Sequence, residues 1–214
     1  QLQPDEKIKA IIPTTDFAES KSLAFFTKNG IVKRTNLSEF KNIRSVGVRA
    51  ISLDENDELV TALIAQTYDD MPVTDPENEL SVETEVLEVE ELQNEIDEDS
   101  ANAEEDANSG DETMLFVVTK KGMCLKFKIS KVRQMGRTAR GVTGIKFKEP
   151  GDEVVGAAVI ESNDQEILSI SQKGIGKRTT ADEYRLTNRG GKGVICMKLT
   201  NRTGDLVGVV MVDE

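Results

Sequence analysis

Three stretches of this 214-residue chain combine glycine with Lys and Arg in a pattern suited to one kind of chemistry, the holding of a polyanion. The fullest is Asn188-Arg189-Gly190-Gly191-Lys192-Gly193, a basic loop that runs into the apolar residues 194–199. Glycine permits positive φ and leaves neighbouring backbone N–H groups unobstructed, and the cations add charge, so such a loop fits a phosphate surface. Arg137-Thr138-Ala139-Arg140-Gly141, preceded by Lys131, Arg133 and Gly136, stands at the same phase, and Arg44 precedes Gly47 in a third copy. A second set of cations follows a turn glycine: Lys33-Arg34 after Gly30, Lys126 after Gly122, and Lys177-Arg178 after Gly174. Solvated surface charge falls at unselected positions. Two phases occupied in three copies point instead to equivalent positions on equivalent faces, forming a basic stripe around a rim.

Other chemistries find little material. The chain has no His, which removes the commonest general base. Its two tyrosines, Tyr68 and Tyr184, read as packing or rim residues. Cys124 and Cys196 lie in apolar strand patterns and read as reduced core residues; two isolated cysteines without His make a poor zinc set. The expectation is a module with no catalytic residue, no metal and no cofactor of its own.

The elements that position the cations come from a repeat. The turn glycines Gly122 and Gly174 are 52 residues apart, and Gly30 and Gly122 are 92 apart. An acidic turn before an apolar strand recurs at Asp5, Asp57, Asp152 and Asp205, with steps of 52, 95 and 53. The period is therefore 52 or 53, with some 40 additional residues between the first and second complete units. Each unit reads as four strands: a hairpin across the turn glycine, a third strand after the basic loop (47–53 in the first unit), and a fourth after the acidic turn. That is the size of a propeller-type blade. The predicted organisation is a closing strand of a preceding blade at 1–13, a blade at 14–65, an acidic insertion at 66–113, and blades at 114–160 and 161–214. Beginning and end at the same phase suggest a piece cut from a longer array.

Net charge is −12, which at first argues against nucleic acid. The distribution reverses that. No Lys or Arg lies between Arg49 and Lys120, and residues 69–112 hold 19 of the 39 acidic residues. Without that segment 27 basic and 20 acidic residues remain, a charge of +7. The acids, Pro72, Pro76 and scarcity of aromatics predict a mostly disordered insertion. It is either a solvated spacer or an element that folds over the basic rim as a mimic of DNA. No apolar run approaches the roughly 20 residues of a membrane span, and no membrane role is expected.

The residues 27–35 (Thr-Lys-Asn-Gly-Ile-Val-Lys-Arg-Thr), 135–146 (Met-Gly-Arg-Thr-Ala-Arg-Gly-Val-Thr-Gly-Ile-Lys), 176–184 and 189–194 resemble the C-terminal domain of the DNA gyrase A subunit and, more distantly, that of the topoisomerase IV A subunit. The resemblance covers nearly everything outside 66–113. It implies an all-β β-pinwheel, a propeller-like disc of four-stranded blades that exchange strands, of which this chain carries about three blades and a stray strand. It further implies a non-catalytic, monomeric module that wraps double-stranded DNA on a basic outer rim and so sets the crossing geometry for negative supercoiling. Its partners would be the gyrase B subunit and the N-terminal part of the A subunit, with ATP and Mg held elsewhere in a bacterial cytoplasmic topoisomerase. The family's box, Gln-Arg-Arg-Gly-Gly-Lys-Gly, is matched only in part by residues 188–193, so the first blade is inferred to lie upstream. The alternatives are a topoisomerase IV domain that binds DNA segments without strong wrapping, and a protein-interaction propeller. The expected DNA contacts are Lys33, Arg34, Arg44, Lys126, Lys131, Arg133, Arg137, Arg140, Lys177, Arg178, Arg189 and Lys192, with Gly136, Gly141, Gly190, Gly191 and Gly193 shaping the loops.

Overall fold

The structure is a computed structural model that describes residues 7–42, 44, 47–67 and 112–212. The acidic stretch 68–111, the centre of the predicted insertion, and Tyr68 lie outside the described residues.

Each unit starts with a hairpin. In the first, β1 (Lys21–Thr27) and β2 (Ile31–Asn36) pair antiparallel across Gly30, whose φ of 86° only glycine adopts without strain. A short 3-10 turn (Leu37–Phe40) follows, capped by the Asn36 side chain on the Ser38 N–H. After the acidic turn, β3 (Leu59–Gln66) returns beside β1. The second unit repeats this with β4 (Met114–Thr119), β5 (Met123–Lys128), a short β6 (Val142–Thr143) and β7 (Val154–Ile160). The third has β8 (Glu166–Ser171), β9 (Gly176–Thr180), a short β10 (Val194–Ile195) and β11 (Leu206–Val212).

The sheets cut across the sequence units. Their strand orders are β3-β1-β2-β6, β10-β5-β4-β7 and β11-β8-β9. The third strand of the second and third units is thus donated to the preceding sheet: β6 pairs with β2, and β10 with β5. Residues 47–53, expected as the third strand of the first unit, form no strand. The reason is the same exchange. The segment equivalent to β6 and β10 pairs with the sheet before its own, and among the described residues no such sheet stands beside residues 47–53.

The acidic turns have a specific task. Asp57 accepts the N–H groups of Asn29 and Glu58, and Asp152 accepts those of Lys121 and Glu153 together with the Thr119 hydroxyl. Each carboxylate pins the hairpin turn to the start of the last strand. The turns in addition link neighbouring units, since Val154 donates to Lys28 O and Leu206 to Lys120 O. One core joins units one and two around Ala24, Phe26, Leu115, Phe127 and Ile145. Another joins units two and three around Phe116, Val118, Ile167, Tyr184 and Cys196. The Phe116 and Tyr184 rings meet at 4.8 Å, and burial pushes the Tyr184 hydroxyl well above the ordinary tyrosine range. Both cysteines are free and buried.

Candidate nucleic-acid interface

Sheet order gives each blade an inner and an outer edge. β3, β7 and β11 lie at one edge of the three sheets and abut their counterparts in neighbouring units; the Cα of Gly156 on β7 approaches Val209 on β11 closely enough that a Cβ would sit 3.2 Å from its N. β6 and β10 lie at the opposite edge. The basic loops, 131–141 and 183–193, lead directly into β6 and β10 and so run along the outer edge.

These loops are held in place by the preceding unit. Met135 N–H donates to Arg34 O, and Thr187 N–H donates to Lys126 O, so the two loops enter at equivalent places. Gly141 and Gly193 then bring the chain against the previous hairpin. At Gly141, with φ of 110°, a Cβ would lie 2.7 Å from Val32 O; at Gly193 it would overlap Cys124 O. Both glycines are required by close approach, not by an exposed N–H array. Gly190 donates to Gly144 O and Gly191 accepts from Lys146 N–H, so this part of the loop is also occupied with the neighbouring unit. Gly136 has open space around it.

The side chains divide into two groups. Arg44, Lys131, Arg133, Arg140, Arg189 and Lys192 are exposed, and Arg137 is half-buried. Arg140 pairs with Asp54 at 2.9 Å on the surface. Arg189 spends part of its guanidinium on the backbone, with Nε donating to Lys131 O and an Nη to Thr143 O. Lys131, Arg133, Arg137, Arg140, Arg189 and Lys192 lie on the loops that run along the outer edge.

The other phase must be corrected. Lys33, Arg34 and Lys126 are 0 %, 3 % and 4 % exposed, so they present no charge to a ligand. Arg34 and Lys126 occupy the same register, opposite Ala24 and Phe116, on the sheet face covered by the next unit. Arg34 reaches Ile129 O and Val132 O, and Lys126 donates to Ala181 O at 2.6 Å and to Asn163. Lys33 points to the other face and donates to Ala50 O and Arg137 O. All three tie the outer segments to the sheets. Burial holds Lys33 and Lys126 below the ordinary lysine range, Lys33 at about 8. Lys177 and Arg178 on β9 are exposed, and Arg178 pairs with Glu166 at 3.1 Å.

One residue absent from the expected set belongs with it. Arg185 is exposed and stands just before Leu186, the bridge partner of Lys126, as Arg133 stands just before Gln134, the bridge partner of Arg34. Its phase after the 3-10 turn was the available signal. Among the described residues no three His, Cys, Asp or Glu side chains gather as metal ligands, and no helix is long and apolar enough to cross a membrane.

The family described as DNA gyrase C-terminal domain, beta-propeller, matches residues 21–66, 113–161 and 165–213, the three strand-bearing units. The chain belongs to this family. It is 68% identical, over its whole length, to the DNA gyrase A subunit of Campylobacter fetus, of which it covers 23%, and 45% identical to that of Helicobacter pylori, of which it covers 20%. The chain therefore spans less than a quarter of the length of these relatives. Among solved structures, the C-terminal domain of DNA topoisomerase IV is similar with a TM-score of 0.70 and 25% identity, covering 99% of this chain and 52% of that one. A DNA gyrase A C-terminal domain has the same TM-score at 23% identity, over 100% of this chain and 56% of that one, which speaks to the fold. The all-β pinwheel architecture and the gyrase-family resemblance both hold.

Proposed function

We propose that the chain is the non-catalytic DNA-binding part of a gyrase-type topoisomerase and that duplex DNA follows its outer edge. The observation that carries this reading is the placement of exposed Lys131, Arg133, Arg140, Arg189 and Lys192 on segments at that edge, with Arg137 and Arg185 beside them; Arg44, exposed as well, is proposed to extend the set. Such an arrangement neutralises phosphates and reads few bases, so affinity follows counterion release. A curved basic edge favours duplexes that bend at low cost. Bending DNA around this edge would set the crossing geometry for negative supercoiling. The gyrase B subunit and the N-terminal part of the A subunit are the proposed partners, in a bacterial cytoplasmic enzyme whose ATP and Mg sites lie outside this chain. The gyrase names of the relatives given above favour gyrase over topoisomerase IV.

Fluorescence anisotropy with a duplex of about 40 base pairs, across a salt series, tests the reading. The expected result is a log–log slope on the order of −5 or steeper. Replacing Arg133, Arg137 and Arg140 together with Ala lowers the slope by about two to three, one counterion per lost phosphate contact. Salt-insensitive or undetectable binding at low salt would defeat the proposal and favour a protein-interaction propeller.

A further inference from the structure

Lys33 is a fully buried cation whose ammonium meets no carboxylate among the described residues. Its Nζ donates to Ala50 O at 2.6 Å and Arg137 O at 2.7 Å, and sits 5.3 Å from the centroid of the Phe25 ring. Ala50 belongs to the segment 47–54 and Arg137 to the basic loop of the next unit, so one ammonium joins two surface segments from beneath. The join is reinforced above it: Ser52 donates through its N–H to Ala139 O and through its hydroxyl to Thr138 O, and Arg140 pairs with Asp54. The other units lack this device. Register places Leu125 in the second sheet and Lys177 in the third where Lys33 stands in the first, and Leu125 packs 3.5 Å from where a Gly191 Cβ would be, while Lys177 is exposed.

We infer that Lys33 is a positioning residue for DNA binding: its ammonium, held between Ala50 O and Arg137 O, fixes the 136–141 loop in the geometry that presents Arg137 and Arg140. The inference rests on the DNA-binding reading above. A charged donor makes hydrogen bonds roughly twice as strong as a neutral one. Charged groups on the elements packed around Lys33 are Glu39 on the 3-10 turn, Arg49 and Asp54 on the 47–54 segment, and Arg137 and Arg140 on the loop. Burial lowers the Lys33 pKa to about 8, with Glu39 opposing. At about pH 7 the group is therefore charged.

The test compares wild-type chain with Lys33→Arg and Lys33→Met at fixed salt and about pH 7. Anisotropy with the duplex reads affinity, and hydrogen exchange at Ala139 reads loop order. Lys33→Met is expected to bind about three- to tenfold more weakly, with quicker Ala139 exchange and unchanged circular dichroism, as the charge-assisted bonds to the two carbonyls are lost. Lys33→Arg keeps a charged donor and is expected to restore both readouts toward wild type. If Lys33→Met does not fold, Lys33→Gln, which keeps a neutral donor, takes its place. Wild-type affinity and wild-type Ala139 exchange in the neutral variant overturn the inference while leaving DNA binding intact. No salt-sensitive binding by wild type at neutral pH overturns the DNA reading itself, and the inference falls with it.

Discussion

At the residue scale, two residues decide much of the geometry. Gly193 lacks the Cβ that would overlap Cys124 O, and its φ of 74° is a left-handed value. Gly193→Ala therefore combines backbone strain with a collision against a strand, and a loss of about 2 kcal/mol or more is expected in urea denaturation. The same substitution at Gly136, which has open space and no positive φ, is expected to cost little; the pair separates a glycine needed for packing from one that is not. Asp152 is the second case. Its carboxylate accepts from two backbone N–H groups and one hydroxyl while nearly buried. Asp152→Asn replaces one acceptor oxygen with a donor, leaves a buried partner unmet, and is expected to cost about 1–3 kcal/mol in the same assay.

At the element scale, the exchanged strands β6 and β10 explain why the cations after the turns are inside. A strand that is central in its sheet and covered on both faces has no exposed side, so consecutive Lys33 and Arg34 are both buried against different segments. The burial has a stability consequence. The folded pKa of Lys33, about 8, lies below the ordinary lysine value, so between the two the unfolded chain binds more protons than the folded one. Below about pH 8 the buried charge costs the fold; that cost is lost as pH rises toward the unfolded value near 10.4. Wild type should thus gain stability relative to Lys33→Met between about pH 7 and about pH 10 in denaturant titrations. A stability difference that is constant across this range would contradict the assignment.

At the scale of the whole molecule, charge and architecture act together. The sheets put acid-pinned turns and strands β3, β7 and β11 at the inner edge and the basic loops at the outer one. Residues 69–112 carry 19 acids, and their removal changes the net charge from −12 to +7. A tethered polyanion competes with DNA for the basic edge, so the deletion is expected to tighten duplex binding about threefold or more at low salt. The gain should shrink when the Debye length falls to roughly 3 Å at 1 M salt. Equal affinity of the two forms at low salt would make the acidic stretch a spacer.

The sequence alone determined the repeat, because a hairpin needs glycine at positive φ, an acidic residue can serve the turn amides, and both must recur with every blade. It also determined that the loops before β6 and β10 carry the charge, as Arg137, Arg140, Arg189 and Lys192 share one phase. Two matters were left to the tertiary structure. Which sheet receives each third strand depends on pairing between units about 50 residues apart, and a local pattern such as 47–53 carries strand character whether or not a partner lies beside it. Which cations face solvent depends on what covers each sheet face. Lys33, Arg34 and Lys126 read in sequence like Lys177 and Arg178, and only the carbonyls of Ala50, Arg137, Ile129, Val132 and Ala181 around them show that their charge is spent inside.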